Sequence, residues 1–201
     1  WGKPTILDGL GRLHFHISPR SFFQVNTQQA ERLYEQALSY ADLHGTETVI
    51  DAYCGTGTIT LFLAQRARKV YGIEIVQPAI LDARKNARDN HVKNAEFIVG
   101  DATKVMSALY KQGIRPDVVV VDPPRAGCTP TVLQTFADMK PQRIIYISCN
   151  PATLARDLAI LKEHGYHAQE VQPVDLFPQT SHVETITKLS RDIPAANAHV
   201  R

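Results

Sequence analysis

The chain is short of most features that would place it quickly. It has only three cysteines in 201 residues, none in a CxxC pair, so neither a zinc ribbon nor a disulfide framework is available and a reducing cytoplasm is the default compartment. Its eight histidines show no metal-ligand spacing, and the expectation is no metal. No stretch approaches about eighteen apolar residues and no signal-peptide pattern stands at the start, which argues against a membrane partner. Charge of one sign is also scarce. Twenty-two basic residues face 20 acidic ones for a formal net charge of +2, which permits a nucleic-acid partner without demanding one. Repeats and low-complexity tracts are missing. The first residue is Trp1 rather than Met, and the chain reads as a fragment of something longer. What remains, 44% hydrophobic and 21% charged residues, describes an ordinary globular domain with enough length to bury a core.

The order of elements is readable from periodicity. Residues 1–25 alternate, with turn residues at Asp8-Gly9 and Ser18-Pro19, and suggest short strands leading into the main domain. A helix is expected from about Asn26, because Ala30, Leu33, Tyr34, Ala37, Leu38 and Ala41 make one apolar stripe. Strands and helices then alternate to about residue 192, and the tail 193–201 should fray. "TVIDA", "KVYGIEI", "AEFIV", "DVVVV" and "IIYIS" are continuous apolar runs separated by helical patterns. That pattern implies an α/β fold with a mostly parallel sheet covered by helices on both faces. The last two strands, near 166–174 and 182–189, have no helix between them and should pair antiparallel.

Strand ends carry the polar residues. "DAYCGTG" (51–57) follows the first strand of this sheet, and Gly55 and Gly57 allow a tight turn and a close ligand. Glu74 ends the next strand, where a ribose-binding carboxylate belongs; Asp101 and Asp122 end the two after it. The loop lacks the full GxGxxG and lacks a P-loop lysine. A nucleoside without a pyrophosphate therefore fits best, S-adenosylmethionine ahead of NAD. A purely structural turn stays open.

"IIYISCNPATLARD" (144–157) sets Cys149 where a strand hands over to a helix, with Asn150 a good N-cap and Pro151 a good first helical residue. A helix N-terminus favours a thiolate. On residues alone Cys149 is a nucleophile or a small apolar filler, Cys128 competes with it, and Glu184 reads as an edge-strand carboxylate.

Several stretches taken together resemble the uracil-5-methyltransferases of RNA: "FFQVN" (22–26), "DAYCGTGTITL" (51–61), "DPPRAGC" (122–128), "SCNPATLARD" (148–157) and "HVETI" (182–186). The resemblance implies a Rossmann-like class I methyltransferase fold with a seven-stranded sheet and an antiparallel last strand. It implies methyl transfer from S-adenosylmethionine to C5 of a flipped-out uridine in RNA, with 23S ribosomal RNA ranked ahead of transfer RNA. It makes Cys149 the nucleophile and Glu184 the general base, and assigns cofactor contacts to Gln24, Tyr53, Glu74 and Asp122, with Asp101 added near the adenine. Gly55 joins them from the turn geometry. An upstream RNA-binding domain, in some members with an iron–sulfur cluster, would lie before Trp1.

The chemistry accounts for those residue types. C5 of uracil is a poor nucleophile until a thiolate adds at C6, and the C5 proton must later leave so that sulfur can be eliminated. Extruding the base from its stack costs a few kcal/mol. Two other readings are weighed. Cytosine-5-methyltransferases place a cysteine directly after a D-x-P sequence, where Arg125 stands here, and amino-methylating enzymes need an aromatic there. A cofactor-binding RNA module without catalysis is the non-enzymatic alternative, against which Cys149 and Glu184 speak.

Overall fold

The computed structural model describes residues 5–18 and 23–191. It opens with a hairpin of β1 (Ile6–Leu10) and β2 (Leu13–Ile17), followed by α1 (Thr27–Ala41), β3 (Thr48–Ala52) and α2 (Thr58–Ala64). Then come β4 (Lys69–Glu74), α3 (Gln77–Asp89), β5 (Ala95–Val99), α4 (Ala102–Lys111), β6 (Val118–Val121) and α5 (Pro130–Met139). β7 (Arg143–Ser148), α6 (Pro151–Glu163), β8 (Tyr166–Val174) and β9 (Glu184–Arg191) complete the order.

The apolar runs form strands because both of their faces find cover. Val49, Val118, Val120, Ile145 and Ile147 enter one core, with residues of α1, α2 and α3. Their neighbours Ile50, Val119, Val121, Ile144 and Tyr146 enter the other, with α4, α5 and α6. Side chains of one strand alternate between faces, so a strand with two buried faces shows no polar alternation. The sheet order is β5-β4-β3-β6-β7-β9-β8. The first five strands run parallel, and β9 enters antiparallel between β7 and β8. The fold expected from the sequence, a Rossmann-like sheet with an antiparallel last strand, is the fold observed.

The hairpin departs from expectation. Its turn is Gly11-Arg12, and Asp8-Gly9 lie inside β1, where Asp8 pairs with Phe15 and Gly9 with His14. Gly11 supplies the positive φ (+57°) that the turn needs, and this register buries Leu10, Leu13 and Phe15 together. Residues 19–22, with Pro19 of the other expected turn, Arg20 and Phe22, lie outside the described residues, as does the tail 193–201. An asparagine of α3 and the one that caps its C-terminus hold the hairpin: Asn86 and Asn90 accept from the His16 and His14 N–H groups at 2.8 and 2.9 Å. Asn90 also donates to the His14 carbonyl at 2.6 Å. The side-chain amides take the place of a neighbouring strand.

Candidate active site

All the polar strand ends lie at the carboxyl edge of the parallel strands, where ligands of such sheets sit. On the first side of β3, the turn after the strand is backbone-driven. Gly55 and Gly57 have φ of +53° and +83°, and Tyr53 between strand and turn also takes a left-handed φ of +67°. For a tyrosine that conformation is strained, and strain of this kind gathers at functional sites. Glu74 braces the turn from β4. One of its oxygens accepts from the Gly55 N–H at 3.2 Å and the other from the Val76 N–H at 2.9 Å. Asp101 caps α4, accepting from the Lys104 N–H at 3.1 Å, and remains exposed.

A cavity of about 60 Å³ opens over this turn, lined in part by Gln24, Tyr34, Tyr53, Gly55 and Asp122. Four of the six expected cofactor contacts thus converge on one wall; Glu74 reaches it through Gly55, and Asp101 stands farther out. The cavity takes one end of a ligand, not a whole one. A larger cavity of about 800 Å³ lies away from the strand ends, between the hairpin loop, α1 and α2, with charges of both signs in its lining.

On the other side of β3 the acids crowd together. In the β7–β9 ladder Ile147 pairs with Ile186 and Ser148 with Thr185. Cys149 follows Ser148 and Glu184 precedes Thr185, so both lie at the same end of the ladder, where Glu184 pairs with Val174 of β8. Glu184 is buried, which raises the pKa of its carboxyl, while Arg125 works the other way. Asp122 is pushed up to about 7 by lost hydration and by Glu184. Asp51, fully buried, is likewise raised to about 7, chiefly by burial, although Thr60 donates to it at 2.5 Å. Cys149 is half-buried. Burial, then Glu184 and Asp122, raise its thiol pKa; Arg125 and a backbone N–H oppose them. The helix N-terminus acts in the thiolate's favour, and there Asn150 accepts from the Ala152 N–H at 3.0 Å.

The other cysteines are buried. Cys54 lies in the turn and lines the same small cavity. Cys128 is 3% exposed, and burial first of all pushes its thiol up to about 12. Sequence reasoning gave no role to Asp51 or Tyr34; an acid directly before the glycine turn was a usable signal for Asp51. Among the described residues no group of His, Cys, Asp and Glu is placed to hold a metal, and no helix is long and apolar enough to cross a membrane.

Similar proteins agree with the geometry. An uncharacterized RNA methyltransferase of Halalkalibacterium halodurans is 58% identical over 189 residues, covering 94% of this chain and 41% of that protein. One from Clostridium tetani is 58% identical over 186 residues, covering 92% and 40%. The chain thus spans about two-fifths of the length of these curated relatives. Among solved structures, the tRNA (uracil-54, C5)-methyltransferase of Pyrococcus abyssi in complex with S-adenosyl-L-homocysteine is 38% identical, with a TM-score of 0.80. It is matched over 94% of this chain and 45% of its own. Trm5b of the same organism, 13% identical with a TM-score of 0.73 over 94% of this chain and 56% of its own, shares the fold alone. A family model described as tRNA (uracil-5-)-methyltransferase matches residues 9–192, and the chain belongs to that family.

Proposed function

We propose that this domain transfers a methyl group from S-adenosylmethionine to C5 of a uridine in RNA, through a covalent bond between Cys149 and C6. The observation that carries the reading is the end of the β7–β9 ladder, just past which lie a half-buried thiol and a buried carboxyl. Both ribosomal and transfer RNA are candidate substrates, with 23S ribosomal RNA the first to test.

The residues present fit the cofactor. Gln24 Oε1 and Asp51 Oδ1 are buried acceptors with no partner among the described residues, and Asp51 and Asp122 are carboxyls whose ionisation a nearby cation would favour. Glu74 is placed for ribose hydroxyls. When bound, the cofactor supplies an electrophilic methyl group and one positive charge. Cys149 releases its proton to water, helped by Arg125, and its sulfur bonds to C6 as the C5–C6 π pair shifts onto C5 and the C4 carbonyl, leaving C5 nucleophilic. After C5 has taken the methyl group, Glu184 accepts the C5 proton, and the S–C6 bond breaks as the ring double bond re-forms. Burial suits Glu184 to the task, since a raised pKa makes it a stronger base.

Replacing Glu184 by Gln tests the assignment. Addition and methyl transfer need no base at C5, whereas elimination does. Glu184→Gln is expected to transfer one methyl group per enzyme and stall as a denaturation-resistant protein–RNA adduct whose mass includes the methyl. Normal turnover, or inactivity with no methylated adduct, would remove Glu184 from the role. The buried position of Cys128 counts against the cytosine reading, which needs a second reactive cysteine.

A further inference from the structure

Behind the reacting groups a carboxylate is buried that the mechanism does not use. Asp157 sits on α6 with no exposed surface. Its Oδ2 accepts from the Cys128 backbone N–H at 2.7 Å and from the Tyr146 hydroxyl at 2.5 Å. Its Oδ1 accepts from Arg156, Nε at 2.8 Å and Nη2 at 2.7 Å. The same Nη2 donates to the carbonyls of Ala126 at 2.8 Å and Cys128 at 3.2 Å. At the start of the helix, Thr153 Oγ1 and Asn150 Nδ2 donate to the Arg125 carbonyl at 3.2 and 3.3 Å. Side chains of one helix and its cap thus grip the backbone of the 125–128 loop from end to end.

The grip is tight enough to dictate the sequence of the loop. Gly127 has a φ of +74°, and a Cβ there would come within 2.6 Å of both Arg156 Nη2 and Asp157 Oδ2. A surface loop after a parallel strand needs no such anchor, because water can satisfy its backbone. Burying a carboxylate is costly, several kcal/mol before its partners offset it. The loop begins at Arg125, the cation that acts on both Cys149 and Glu184, and the residue holding its carbonyl, Asn150, directly follows Cys149.

We propose that Asp157 is a positioning residue: with Arg156 it locks the 125–128 loop onto α6 and so holds the backbone from which the exposed Arg125 side chain projects next to the residue that follows the nucleophilic thiol. The proposal rests on the reading of Cys149 as nucleophile. Asp157 touches no reacting atom and acts through Arg125.

The test uses the full-length, cofactor-free protein and follows iodoacetamide alkylation of Cys149 against pH by peptide mass spectrometry, which separates it from Cys54 and Cys128. Asp157→Asn and Arg156→Ala should move the inflection upward and slow alkylation near neutral pH by about threefold or more, because less thiolate is present. Arg125→Ala should do the same, and Asp157→Asn added to it should bring no further slowing, since both act through one group. Binding of S-adenosyl-L-homocysteine at wild-type affinity certifies that each variant is folded. Should Asp157→Asn not fold, Arg156→Ala decides, its side chain being 51% exposed. An unchanged profile in folded variants, or slowing that adds to that of Arg125→Ala, overturns the proposal. Methylation of uridine RNA by the wild-type protein is scored separately. Its absence would sink the functional reading, whereas its presence beside an unchanged thiol profile would sink only the positioning role.

Discussion

The strands on the two sides of β3 end in the same residue types and use them in opposite ways. Toward β4 and β5, acids meet backbone N–H groups: Glu74 holds Gly55 and Val76, and Asp101 caps its own helix. Those contacts are local and backbone-directed. Toward β6, β7 and β9, acids meet one another and a thiol: Asp122, Glu184 and Cys149 all have raised pKa values, from burial and, for Cys149 and Asp122, from neighbouring carboxyls. One side is held by backbone hydrogen bonds. The other is held short of its charged state and gains from a cation.

The sharpest way to break the comparison is to remove the thiol. Cys149→Ala should lose methyl transfer and adduct formation entirely while binding S-adenosyl-L-homocysteine as the wild type does, read by radiolabel transfer and calorimetry. Weakened binding would show the two sides to be one unit. Next in size, Glu74→Ala should weaken cofactor binding by roughly 1.5–3 kcal/mol, the range for a lost charged hydrogen-bond partner, with calorimetry as the check. Comparable in cost but felt in stability, Gly57→Ala strains the glycine-turn side. A Cβ there meets the Phe97 ring at 2.9 Å, and the φ of +83° disfavours any side chain. Thermal unfolding should report a loss of about 1–3 kcal/mol.

The smallest effect concerns the acid side. Asp122 has a pKa of about 7 in the folded protein against an ordinary 3.8. Between those values the folded state holds a proton that the unfolded state releases, so stability from this group is present at low pH and is lost as pH rises toward 7. Asp122→Asn cannot titrate there. In cofactor-free protein its midpoint of unfolding should climb relative to wild type as pH rises through that window. Parallel curves would mean that Asp122 is ionised throughout.

What the sequence disclosed follows the same division. The turn at Gly55 and Gly57, the strand end at Glu74 and the cap at Asn150 are local features, and spacing alone finds them; the hydrogen bonds from Glu74 back to Gly55 and Val76 it does not. The state of Cys149 is different. Its helix N-terminus is local and visible, but its burial and its neighbours Glu184 and Asp122, which oppose the thiolate, arrive through strand order, which propensity does not encode. The hairpin turn was misplaced for a related reason. Asp8-Gly9 is a good turn pair by itself, yet burying Leu10, Leu13 and Phe15 against α1 and α2 selects the register closed by Gly11. Asp157 could not have been singled out either, because an acid within a helix is ordinarily a surface residue.

The insertion of β9 between β7 and β8 also sets a schedule for the ribosome. The glycine turn, Asp122 and Cys149 are all synthesised before α6 and β8, and Glu184 arrives with the first residue of the last described strand. At about 5–20 residues per second, seconds separate Cys149 from Glu184. Until then β7 is an open sheet edge, because β8 pairs with β9 and not with it. On the proposed roles, a nascent chain in that interval holds the nucleophile without its base, and closing the sheet also completes the chemistry.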